Sequence, residues 1–254
     1  MTAYRFVTGA VRLVVAVAIV AATVVTLSSS ISSWADAGYR DLATLYVNFF
    51  SYFTIESNLA AAVVLAVGAV LVVTRRTADP ASYTVIRAAV VVYMGVTGIV
   101  YNLLLRGLAV TGGGDTPSWT NEVMHVIAPA YLLLDWVFAP GRTPVRWRHV
   151  GTILAFPLLW VAYTLIRGPL VFDQIKNMAT WYPYPFLNPA RSEHGYASVA
   201  IWVVIIAAVF AALAVVVVAV SHWRSRSRSR PRPRPEEVAA PHGEKYAENP
   251  RDGG

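Results

Sequence analysis

The 254-residue sequence contains no cysteine. That excludes disulfide staples, thiolate metal sites and thiol nucleophiles. Charge is scarce too. Asp, Glu, Lys and Arg make up 14% of the chain, against about 25% in ordinary soluble domains. Histidines are few and scattered, at His125, His149, His194, His222 and His242. No two have the helical spacing of a metal-binding pair, so neither a metal nor another cofactor is expected. The net charge of +7 does not imply a nucleic-acid partner. The basic residues sit in short connections and one tail, not in a stripe along one face.

What the chain has in quantity is apolar sequence, 56% of its residues. A helix needs about 20 mostly apolar residues to cross hydrocarbon. Six stretches qualify, at approximately 8–27, 49–73, 84–105, 119–138, 150–170 and 197–221. None alternates like a barrel strand. The expected fold is all-α, a polytopic bundle of six transmembrane helices over residues 1–223. The first run is longer than the ~7–15 residues of a leader's apolar region. Serine-rich residues 28–33 also separate it from the small-residue site Ala35-Asp36-Ala37, so it reads as a retained span.

Basic residues set the orientation. Arg5, Arg12, Arg75, Arg76, Arg87, Arg142, Arg146, Arg148 and the arginines after Trp223 fall on one side. Arg40, Arg106, Arg167, Lys176 and Arg191 fall on the other, with Asp36, Asp41, Asp115, Asp173 and Glu193. The excess places both termini in the cytoplasm of a multi-pass cell-membrane protein. Residues 224–254 open with RSRSRSRPRPRP. They are too charged and proline-rich to fold alone, and read as a disordered stop-transfer tail or an anchor to anionic headgroups.

Polar groups within the apolar segments gather near the non-cytoplasmic ends. The second span opens with NFFSYFTIESN, which carries Thr54, Glu56 and Asn58. The fourth opens with WTNEVMHVIAP, which carries Asn121, Glu122 and His125. The third closes with Asn102 and Arg106, four apart, and the fifth with Tyr163 and Arg167, also four apart. Such groups are costly in hydrocarbon and mark functional candidates. Thr54 and His125 each lie about 9 Å past their expected helix starts, a shared depth. Asp135, near the inner end of the fourth span, stands apart and is expected to pair with a loop arginine.

A threonine hydroxyl becomes a nucleophile when a base takes its proton, and histidine is the usual base. Asn121 or Glu122 would orient the imidazole. Asn58, Asn102 or Arg106 would donate to a developing oxyanion. Two other functions fit the same residues. A transporter or binding protein would use Arg106 and Arg167 to clamp a carboxylate or phosphate across a polar outer vestibule. A scaffold would pair its polar groups off among themselves.

Three segments carry a family resemblance: YFTIESN around Thr54, NEVMHVIAP around His125, and WYPYPFLN over residues 181–188. In their order and placement the chain resembles the bacterial six-span membrane family called Pr-six-Pr, across most of residues 5–222. More distantly it is similar to the eukaryotic androgen-induced and androgen-dependent membrane hydrolases. That resemblance implies a hydrolase of fatty acid esters of hydroxy fatty acids, with Thr54 as nucleophile and His125 as base. Asn121, Met124 and Pro129 belong to the histidine-bearing segment. Tyr184, Pro185, Phe186 and Leu187 match the YPFL piece, and Tyr184 joins the substrate-binding candidates. The IESN after Thr54 departs from the eukaryotic members. The implied partners are membrane lipids and a lipid-like ester or other amphipathic small molecule. In WYPYPFLN, Pro183 and Pro185 disfavour helix, and its aromatics suit the headgroup level. It reads equally as a rigid plug or a substrate lid.

Overall fold

The structure is a computed structural model that describes residues 3–74, 78–107 and 117–228, with side chains up to Trp223. Arg75, Arg76, Asp115 and the tail beyond residue 228 lie outside it. The main helices are α1 (Ala3–Asp36), α2 (Leu42–Phe50), α3 (Phe53–Thr74), α4 (Ala81–Val100), α5 (Ser118–Glu122), α6 (Ala128–Phe138), α7 (His149–Arg167) and α8 (Tyr196–Arg228). The described residues form no strand, only one isolated bridge between Asp173 and Met178. Five segments are long and apolar enough to cross a membrane: Ala3–Asp36, Phe53–Thr74, Ala81–Leu105, His149–Leu170 and Tyr196–Trp223. The stretch expected as the fourth span is helical throughout, but built in three pieces, with a π-helical turn at Val123–Ile127 joining α5 to α6.

The stretch expected as the second span is broken. Its helix starts earlier, where the Asp41 carboxylate accepts from the Thr44 amide at 3.0 Å. It stops at Ser51 and restarts as α3 at Phe53. The Ser51 carbonyl accepts from Trp160 Nε1 at 3.1 Å, while the Ile55 amide turns instead to Tyr52. A tryptophan from α7 thus takes the carbonyl that an unbroken helix would use. Thr54 is therefore the second residue of α3, not two turns into a continuous helix, and the depth inferred from a start near Phe49 does not hold.

α4 is the hub, packed against α3, α6, α7 and α8. Two prolines organise its neighbours. Proline cannot donate to the carbonyl four residues back and its ring crowds that carbonyl. Pro157 thereby frees the Ile153 carbonyl, which accepts from Tyr93 Oη at 2.8 Å. Pro129 frees the His125 carbonyl, which accepts from Asn102 Nδ2 at 3.4 Å. Each orphaned acceptor is met by an α4-side donor, which fixes how α6 and α7 sit on the hub.

The end of the bundle that carries the N-terminus of α1 holds a buried ion cluster. Asp135 pairs with two helix-borne arginines, where sequence suggested a loop arginine. Arg12 reaches its two carboxylate oxygens at 2.9 and 3.1 Å, and Arg87 reaches one at 2.5 Å. Arg12 also donates to the Gly68 carbonyl at 2.7 Å. The basic-residue pattern places Arg12 and Arg87 on the cytoplasmic flank, yet both side chains are almost wholly buried. A second carboxylate, Asp79, stands 3.9 Å from Arg87. Burial raises the Asp79 pKa, against the pull of Arg87. The Asp79 amide donates to the Gly141 carbonyl at 2.7 Å, and Gly141 holds φ at +99° with its Cα facing the Asp79 carboxylate. Gly141→Ala would force both a left-handed backbone and a clash. It is expected to cost about 1–3 kcal/mol, read as a lower midpoint of thermal unfolding in detergent.

Candidate functional site

Thr54 sits in the first turn of α3, where backbone amides lack helical partners. Tyr184 meets one of them, its phenol oxygen accepting from the Thr54 amide at 3.2 Å. The same phenol lies 3.2 Å from Thr54 Oγ1. With one of its oxygen lone pairs taken by the amide, the phenol is free to donate its proton to the threonine oxygen. Burial pushes the Tyr184 pKa up to about 12, against the lowering effect of its Thr54 hydrogen bonds. Tyr184 therefore remains a neutral donor near physiological pH. Its ring is held by edge contact with Tyr52 and by stacking on Phe186.

His125 lies in the π turn that Pro129 helps open. Its Nδ1 is 3.0 Å from the Asn121 carbonyl. A carbonyl cannot donate, so Nδ1 carries the proton and Nε2 keeps a basic lone pair. The imidazole stacks on Tyr101, with ring centroids 4.0 Å apart, and Asn121 Nδ2 donates to the Tyr101 hydroxyl. Tyr101 begins a second π turn, Tyr101–Leu105, at the end of α4. Two π turns thus lie side by side, one carrying the histidine and the other its stacking partner. Such turns occur frequently at functional sites.

No hydrogen bond joins Thr54 to His125 among the described residues. Asn58 links their segments, since its Nδ2 donates to the Thr54 carbonyl at 2.9 Å and to the Met124 carbonyl at 3.2 Å. Asn102 Nδ2 is engaged by the Gly98 and His125 carbonyls. Arg106 forms an exposed pair with Glu122 at 3.2 Å and donates to Asn102 Oδ1 at 3.1 Å. Glu56 is half-buried, and one of its carboxylate oxygens is enclosed without a protein partner. Tyr163 meets Ser51 at 2.9 Å, and Arg167 donates to Asn48 Oδ1 at 2.8 Å and lies over Trp181. Glu56 aside, the candidates form three groups: Thr54 with Tyr184 and Asn58, the shell around His125 and Tyr101, and the Tyr163–Arg167 pair.

A cavity of about 110 Å³ opens beside the first group, between α4, α7 and α8 and under the 181–188 loop. Of the candidates, only Thr54 and Tyr184 line it. Tyr101, Thr97 and Trp160 contribute further polar atoms, and every other wall is aliphatic, phenyl or proline. Arg106 and Arg167, expected to clamp an anion, lie outside the walls, and so do Glu56, Asn102, Asn121, Glu122 and His125. The cavity is thus an apolar chamber with a hydroxyl pair in its wall, unlike the polar vestibule that the residue pattern suggested. Tyr101 and Trp160 are the participants that sequence did not single out. Both lie within apolar spans with no spacing that marks them, and only the packing shows that Tyr101 connects the imidazole to the chamber.

Comparisons with protein-family models, with curated proteins and with solved structures find no match for this chain.

Proposed function

We propose that the chain is a multi-pass cell-membrane protein with six spans and both termini cytoplasmic, and that it hydrolyses a lipid ester in the chamber beside Thr54. The observation that carries this proposal is the Thr54 hydroxyl, hydrogen-bonded to a neutral phenol and opening on an otherwise apolar cavity. Apolar walls suit an acyl chain, whose burial contributes about 0.8 kcal/mol per methylene. The family resemblance assigns the same threonine and histidine.

In this proposal Thr54 Oγ1 attacks the ester carbonyl while His125 Nε2 takes its proton. Tyr184 donates to the developing oxyanion. As the tetrahedral intermediate collapses, the ester C–O bond breaks and the alcohol leaves with the proton from His125. Water, with His125 again as base, then releases the fatty acid from Thr54. The step requires His125 Nε2 to reach Thr54 past Tyr101, either directly or through one water.

The test is release of fatty acid from a neutral long-chain ester, the methyl ester of an acylated hydroxy fatty acid, by purified protein in vesicles. Tyr184→Phe removes one hydrogen-bond donor and is expected to lower kcat by about 10²–10³-fold, with KM changing much less. A second proposal, lipid binding without turnover, is favoured by the missing Thr54–His125 hydrogen bond. It predicts saturable binding with no product, the same in wild type and Thr54→Ala. The transporter alternative, which relies on Arg106 and Arg167, has less support because both arginines are already engaged by Glu122 and Asn48.

A further inference from the structure

The chamber is covered at its loop end, because Trp181, Tyr182, Tyr184 and Leu187 are all buried. The lining residues that reach the outside of the bundle are concentrated on α7 and α8. Leu158 of α7 is 54% exposed, and Leu154, Val161, Val203, Ile206 and Ala207 are half-buried. The outer surface flanking that seam is apolar, with Leu159, Ile166, Ile201 and Val204 all exposed. Lining from Leu154 to Val161 and from Val203 to Phe210 spans about 10 Å of each helix. Among the described residues, no Asp, Glu, Lys, Arg or His lines the chamber. A phosphate or free carboxylate taken inside would lose its hydration with no countercharge, at a cost of several kcal/mol.

We infer that the ligand is a neutral ester lipid dissolved in the bilayer, whose chain enters sideways through the seam between α7 and α8. This rests on the chamber being the lipid site, but not on hydrolysis. The route follows from which walls are covered and which are open. The neutrality follows from the walls' lack of charge. Thr97 is engaged by Ser57 and Trp160 by the Ser51 carbonyl, so the polar contacts offered to the ester are the hydroxyls of Thr54, Tyr184 and Tyr101. A water-soluble ester or a phospholipid headgroup has no comparable path to them.

The absence of native cysteine allows a direct test on the full chain in phosphatidylcholine vesicles. Ala207→Cys and Val203→Cys place single thiols in the wall, and Ala88→Cys places a control thiol in a buried position that does not line the chamber. Each is exposed to a decyl methanethiosulfonate and to a charged trimethylammonium methanethiosulfonate. The expected result is reaction at 207 and 203 at least 10-fold faster with the decyl reagent, with the control thiol slow toward both. Adding a diacylglycerol should slow the decyl reaction several-fold, and Leu158→Trp at the mouth should slow it as well. Equal or faster reaction with the charged reagent would overturn the inference by showing an aqueous path. Absence of reaction with either would overturn it as well, showing a chamber closed to the bilayer or already filled by phospholipid. Because labelling needs no turnover, these outcomes are independent of whether Thr54 hydrolyses anything.

Discussion

Asp135→Ala should prevent the protein from folding stably. The carboxylate sits between Arg12 and Arg87 with all three side chains at most 3% exposed. Removing one partner of a buried ion pair typically costs about 3–5 kcal/mol, because the remaining charge is left uncompensated. Here two guanidiniums would be stranded, against a total stability of about 5–15 kcal/mol. The expected readout is aggregation or a greatly lowered thermal midpoint in detergent. Asp135→Asn, which keeps one acceptor oxygen but turns the other into a donor and loses the charge, should fall between. The triple variant Arg12→Met, Arg87→Met, Asp135→Leu should recover most of the loss, since replacing a buried ionic group by apolar side chains is often neutral. Asp79, already raised by burial, would then simply take a proton. A triple variant as unstable as Asp135→Ala would mean that the cluster does more than balance its own charges.

The second large effect concerns Thr54. Thr54→Ala should reduce ester turnover by roughly 10³-fold or more, in line with losses on removing other nucleophiles. Its fold should survive, because among the described residues the threonine side chain bonds Tyr184 alone, and the α3 backbone contacts stay in place. Thr54→Ser should retain a measurable fraction of the activity, since it keeps the oxygen. His125→Ala should match the loss, and the Tyr101 stack would be lost with the ring. If Thr54→Ala turned over at the wild-type rate while Tyr184→Phe did not, the phenol and not the threonine would be the reacting group.

Much of the fold was legible because hydrocarbon imposes simple demands on length and composition. The apolar stretches do correspond to helices, and five of them meet the length needed to span. What sequence could not reveal is set by tertiary contacts. The Ser51–Tyr52 break depends on Trp160, more than a hundred residues away. The partners of Asp135 come from α1 and α4, and Arg12 and Arg87 look like flanking charges until packing buries them. The polar residues near the ends of the apolar segments are visible in the sequence, but their grouping is not. Helical spacing placed Asn102 beside Arg106 and Asn121 beside His125, both i to i+4, but it is the Asn121 carbonyl that meets the imidazole, while its side chain turns to Tyr101. It could not show that Arg106 turns to Glu122 or that Arg167 turns to Asn48, which leaves the chamber walls apolar. The link between Thr54 and Tyr184 spans 130 positions. The family resemblance drew attention to both segments without placing them in contact.

The most direct measurement is photolabelling with a neutral long-chain ester carrying a diazirine at its chain end, in vesicles, with the labelled residues mapped by mass spectrometry. Labels are expected on the chamber walls, at Val96, Leu154 or Phe210, and excess unlabelled ester should remove them. Labelling confined to exposed outer positions such as Leu159, Ile166 and Val204, and indifferent to competitor, would contradict a lipid site beside Thr54.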